Sequence, residues 1–148
     1  MWTFKPAIWK DEELTELPRP VTALRLLDSW DFEKFKTPLA DGDHLAGHSR
    51  NGVDVQIEGQ IGTFDGDLQA DEAAMLQVIA DLRERLDVDG AADRYSLVLY
   101  HDAAAGLYRL LRKCSTVRFE SDLSDKSLFT YSIVVHASDP LLVTTSLG

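Results

Sequence analysis

The chain has 148 residues, 45% hydrophobic and 27% charged, the makeup of one folded domain with a core that needs no disulfide or metal. Against 15 Lys and Arg stand 25 Asp and Glu, a formal net charge of -10, which argues against the phosphate-neutralising mode of specific duplex binding. The single cysteine, Cys114, cannot form an internal disulfide, and no stretch reads as a signal peptide or a bilayer span, so the expected location is cytoplasmic when the chain is made.

Residues 1–20 combine Trp2, Phe4 and Trp9 with Pro6, Pro18 and Pro20. Proline fixes φ and removes amide donors, so this stretch reads as an extended N-terminal arm with at most short strand pieces, set before a single domain over 21–148. "VTALRLLDSW" (21–30) reads as a strand, and "KTPLADGDHLAGHSRNG" (36–52) as a long polar loop. "VDVQIEGQIGTF" (53–64) is the cleanest strand: Val53, Val55, Ile57, Gly59 and Ile61 share one face, and the polar residues between them the other. Gly59 within it marks a bend or a close approach of another group.

A helix is expected over about 68–86, with Met75, Ile79, Leu82 and Leu86 at helical spacing, flanked by Leu68, Leu76 and Val78. Asp67 is the candidate N-cap, and Arg83 and Arg85 lie in the last turn, where the helix dipole favours bases. Three or four strands follow, over 94–102, 107–123 and 126–140. The last alternates Phe129, Tyr131, Ile133, Val135 and Ala137 with polar residues until Asp139-Pro140 ends it. This order implies an α+β fold, an antiparallel β-sandwich or small barrel flanked by one amphipathic helix.

Few residues suggest chemistry. Asp41, Asp43, His44 and His48 form the best candidate metal or acid–base set, for a small metal-binding hydrolase, but Gly42 and Gly47 oppose a helix that would pair the histidines. His101 and His136 read as surface or hydrogen-bonded residues. Arg109, Arg112, Lys113 and Arg118 form the one basic cluster, split between two strand faces. No phosphate loop or nucleophile elbow is present, so neither an enzyme nor a cofactor is expected.

Ile57, Gly59 and Ile61 after a long loop, the helix ending "LRERL", Tyr108 through Cys114, and Phe129 through Pro140 together resemble, from about residue 21 onward, the distal tail protein family of long-tailed phages. That resemblance implies a virion tail component assembled in the host cytoplasm: a hexameric ring of a fold related to the tail tube. It would link the tail tube protein to the tail-tip hub proteins and let DNA pass its lumen without specific binding, with no membrane partner. A tail tube or tail terminator subunit is the related alternative. Many family members continue into a second, carbohydrate-binding-like domain after the Asp-Pro, so a minimal hub without direct host-receptor binding is expected here. Trp2, Phe4 and Trp9 of the arm, with Leu39, His44, Leu45 and His48 of the long loop, are then the expected inter-subunit contacts, because ring closure needs different patches on opposite sides of each subunit.

Overall fold

The computed structural model describes residues 1–28, 30–35, 44–50, 52–90 and 93–147, with 30–35 and 44–50 described as backbone. Its strands are β1 (Thr3–Lys10), β2 (Glu13–Glu16), β3 (Arg19–Leu27), β4 (Trp30–Phe35), β5 (His44–Arg50), β6 (Val53–Phe64), β7 (Asp67–Leu68), β8 (Tyr95–Asp102), β9 (Leu107–Asp125), β10 (Leu128–Ala137) and β11 (Leu142–Thr145). The helix α1 spans Glu72–Leu86. Nine strands make one antiparallel sheet with the path β2-β1-β8-β9-β10-β6-β3, to which β11 adds beside β9 and β7 beside β6; β4 and β5 form a separate two-stranded sheet. The sheet does not close on itself, so the expected α+β sandwich is present and the barrel alternative is not.

One strand organises the sandwich. The first half of β9 pairs with β8 and the second half with β10, and Cys114 is the handover, partnered by Tyr95 on one side and Ala137 on the other. The next-door Lys113 adopts φ 57°, a left-handed conformation that turns the strand there, and its carbonyl accepts the Ser138 amide at 3.1 Å. Bent in this way, β9 lets two subsheets enclose a shared core of Ile8, Val55, Ile57, Leu97, Leu111, Cys114, Tyr131 and Ile133. The stop at Asp139-Pro140 is a corner rather than the end of the fold. Asp139 accepts the Leu141 amide at 3.0 Å, and the chain resumes as β11, antiparallel to β9 at Tyr108–Leu111.

The period-two strands hold as read: every second residue of β6 from Val53 to Ile61 and of β10 from Phe129 to Ala137 is buried. Gly59 is the close approach expected of it, since a Cβ there would lie 2.5 Å from the Tyr131 hydroxyl. That ring crosses the glycine to donate to the Pro18 carbonyl at 2.6 Å.

The helix is shorter than its sequence pattern. Asp65 and Gly66 both take positive φ, 53° and 82°, and close a two-residue hairpin that pairs Phe64 with Asp67 and Thr63 with Leu68. Asp67 and Leu68 thereby belong to β7, with Leu68 75% exposed. The N-cap is Asp71, whose Oδ1 accepts the Ala74 amide at 2.7 Å. Met75, Val78, Ile79, Leu82 and Leu86 face the core, and Leu76 faces out.

The C-terminal end of α1 is fastened by side chains from three strands. Lys10, almost fully buried, donates to the Arg85 and Asp87 carbonyls, the latter at 2.6 Å, and faces Asp93 at 3.5 Å. The Thr116 hydroxyl donates to the Leu86 carbonyl at 2.7 Å and bonds the Tyr95 hydroxyl. Arg85 donates to Thr15 at 3.0 Å and pairs with Glu13 at 2.8 Å. A cation and donors at a helix C-terminus satisfy carbonyls that have no partner within the helix.

Residues 1–20 read as an extended N-terminal arm from their prolines and aromatics. They lie in the main sheet, with β1 paired to β8 and to β2, and the register shifts between Phe4 and Ala7 around Pro6. Part of the segment read as the 36–52 loop is strand: β5 pairs with β4 through Phe35↔His44, Lys34↔Leu45 and Phe32↔His48.

Candidate assembly surface

The subsheet formed by the second half of β9 with β10, β6 and β3 carries an outward face opposite the core. Cross-strand partners share a face, so the registers fix its composition row by row. One row is Leu27, Asp54, His136 and Ser115; the next is Arg25, Gln56, Val134 and Arg118; the third is Ala23, Glu58, Ser132 and Glu120; and the fourth is Gln60, Thr130 and Asp122. The third and fourth rows line an open polar groove of about 540 Å³. Four carboxylates stand on this face against two guanidinium groups. Arg118 pairs with Glu120, and His136 Nδ1 lies 2.8 Å from Asp54 Oδ1.

Both lateral edges of this subsheet are open among the described residues. On one side β3 pairs with β6 alone, and on the other the second half of β9 pairs with β10 alone. Leu26 on β3 and Val117 on β9 are large apolar side chains left 43% and 63% exposed there. At its far end the β9–β10 hairpin is held by two side-chain-closed turns. The Ser124 hydroxyl and amide hold Asp122 below the ordinary carboxylate range, and Ser127 does the same for Asp125.

The aromatic residues of the N-terminal stretch are bound within the chain itself. Trp2 lies under the Arg109 guanidinium, 4.4 Å from ring centroid to Cζ, Phe4 meets Tyr100 edge-on at 5.6 Å, and Trp9 packs on a small second cluster of Ala7, Val98 and Leu110. His101 stacks on Tyr108 at 4.2 Å. Trp2, Phe4 and Trp9 thus flank one subsheet, whereas His44, Leu45 and His48 lie on the separate β4–β5 hairpin. Leu39, Asp41 and Asp43 lie outside the described residues, and Trp30 and the two loop histidines are described only as backbone. Among the described residues no three His, Cys, Asp or Glu side chains gather as a metal would require, and no helix is long and apolar enough to cross a membrane. Cys114 is buried and its thiol is pushed up to about 12 by desolvation, a packed group rather than a nucleophile.

What sequence reasoning missed is the pair of edges. Neither strand is unusual in composition; their exposure follows from the order of strands in the sheet.

No family model and no curated protein sequence matches the chain. Among the solved structures that share its fold are two from phage-type tail machinery. One is the Dit protein of phage SPP1, described as a paradigm of the hub adsorption apparatus in phages infecting Gram-positive bacteria, with TM-score 0.56 and 14% identity. The match covers 95% of this chain and 51% of that one, so the chain spans about half the length of the hub protein. The other is a chain of the sheath–tube complex of the extracellular contractile injection system PVC, with TM-score 0.52 and 11% identity, covering 97% of this chain and 88% of that one. The fold is therefore one found in a phage hub protein and in the sheath–tube complex of a contractile injection system, in keeping with the resemblance in the sequence.

Proposed function

We propose that this protein is a structural subunit of a phage-type tail, acting as the ring of a distal tail hub: a homo-hexamer that joins the tail tube to the tail-tip proteins and passes DNA through its lumen. The observation that carries this reading is the pair of open edges on one four-stranded subsheet. With four strands alternating in direction, β3 and the second half of β9 run oppositely. Rotation about a ring axis keeps each strand's direction, so the β9 edge of one copy meets the β3 edge of the next as an antiparallel pair. Head-to-tail contacts of this kind generate closed rings when the rotation closes. The acidic, polar face of the subsheet then lines the bore, where excess carboxylates keep a duplex from adhering. In the same reading Trp2, Phe4 and Trp9, with Leu39, His44, Leu45 and His48, lie at contacts between subunits or with neighbouring tail proteins.

A tube-type ring is the second reading, favoured by the 88% coverage of the injection-system chain against half of the hub protein. Both predict rings. Negative-stain images and light scattering at high protein concentration test them: annular hexamers are expected, and a protein that stays monomeric at high concentration, with no tail partner recruiting it, overturns both. A mixture with duplex DNA is expected to show no gel shift at physiological salt.

A further inference from the structure

We infer that the register of the ring is set by a salt bridge between Arg25 of one copy and Glu120 of the next, an inference that rests on the ring reading above. Arg25 and Glu120 lie on the two open edge strands, both pointing to the outward face, one row apart. Arg25 is exposed and has no ion pair within the described chain. Glu120 is exposed and engages Arg118 through Oε1, leaving Oε2 unpartnered among the described residues.

Three staggers of the β9–β3 contact can be compared in charge alone. Without stagger, Arg25 of the neighbour falls opposite Arg118, and like charges directly opposite are destabilising. Sliding the neighbour by one row, about 6.8 Å or two residues, in one direction sets its Arg25 opposite Ser115 and its Ala23 opposite Arg118, with no charge matched. Sliding by one row in the other direction sets Arg25 opposite Glu120, Leu27 opposite Arg118 and Ala23 opposite Asp122. Only this last stagger joins opposite charges, and Glu120 then bridges two guanidinium groups, one from each copy. Two rows would set Arg25 opposite Asp122, whose Oδ1 is held by the Ser124 amide and hydroxyl, but would leave Leu27 facing Glu120, and the variants below separate the two registers. A non-zero stagger is also what closing a sheet into a barrel demands, because tilted strands meet their neighbours out of level.

The test is a charge swap read by sedimentation velocity and negative stain, with circular dichroism confirming that each variant folds. Arg25→Glu and Glu120→Arg are each expected to raise the concentration needed for assembly at least tenfold, and Arg25→Glu with Glu120→Arg to restore it. Assembly of both single variants at the wild-type concentration overturns the register while leaving the ring reading in place. Rescue of Arg25→Glu by Asp122→Arg in place of Glu120→Arg overturns it in favour of a two-row stagger. A double variant that assembles no better than the singles also overturns it. Absence of wild-type rings removes the ring reading itself, and this register with it.

Discussion

The two subsheets that share β9 treat their edges in opposite ways. The subsheet of β2, β1, β8, the first half of β9 and β11 ends on strands of four residues each, β2 and β11. One face packs on the main core, and the other carries the small cluster of Ala7, Val98 and Leu110 among the partly buried Trp9, Tyr108, Val143 and Leu147. The subsheet of β3, β6, β10 and the second half of β9 ends on longer strands, keeps one polar face, and leaves Leu26 and Val117 exposed at its borders. Short edge strands are a common defence against unwanted pairing, and long open ones invite it. One pair of edges is blunted and the other is open among the described residues, the contrast on which the proposed ring depends.

The strongest test of this contrast is to blunt the open edges. Leu26→Lys combined with Val117→Lys is expected to abolish ring formation in light scattering while lowering stability only modestly. The exposed Val117 change costs within about 0.5 kcal/mol, and the half-buried Leu26, beside Val55, adds about 1 kcal/mol. A large loss of stability with assembly intact would mean that these edges serve the fold and not the contact.

The two cores can be separated at adjacent residues. Leu111 is buried in the main core and Leu110 in the small cluster on the other face of β9. Truncation of a buried leucine costs about 2–5 kcal/mol, more where neighbours cannot settle into the void. Leu111→Ala is expected near the upper end of that range. Leu110→Ala is expected near the lower end, because the partly exposed side chains of Trp9 and Tyr108 can close over the space. Urea denaturation of both variants decides the order.

The clamp on α1 joins the two halves, since Lys10 comes from β1 and Thr116 from β9. Lys10→Met keeps the stem but frees the Arg85 and Asp87 carbonyls, at an expected cost of about 2 kcal/mol. Asp71→Ala, at the helix N-terminus and away from both subsheets, is expected to cost about 1 kcal/mol by removing the cap on Ala74.

A smaller effect separates the halves by pH. Tyr131 and Tyr95 are raised well above the ordinary phenol range, chiefly by burial, and Cys114 is raised to about 12 for the same reason. Each is neutral in the fold and ionises more readily once unfolded. Their contribution is therefore complete below the ordinary thiol and phenol range and is lost as pH rises through and above it. The urea midpoint is expected to fall between pH 8 and 11. Tyr131→Phe, in the open subsheet, is expected to flatten that fall, with the loss of the bond to Pro18 lowering the midpoint at every pH.

How much was legible in the sequence differs by element. The faces of β6 and β10 were readable residue by residue because each strand has one buried and one wet face, and period two survives in composition; β10 itself is shorter at both ends than the expected 126–140. The start of the helix was misplaced because Leu68 fits the apolar stripe; the signal against it was Asp65-Gly66, a dipeptide suited to the two positive φ angles of a tight hairpin. The N-terminal prolines suggested an arm, but Pro6 sits at a register shift and Pro20 at the start of an edge strand, positions where a missing amide costs little. The candidate contacts were chosen by residue type, and type alone cannot say that Trp2 is covered by Arg109 or that Phe4 leans on Tyr100.

The sequence by itself determined the class of fold, the faces of its best strands, the stripe of its helix and the acidic balance of its surface, because each is a local or additive property of residues. Only the tertiary structure decided that β9 serves two subsheets, that Asp139-Pro140 is a corner, and that β3 and β9, among the described residues, end as open edges of opposite direction. Those features depend on which strand lies beside which, a choice made by side chains packing across the core from distant parts of the chain, since backbone hydrogen bonds serve any strand order equally well.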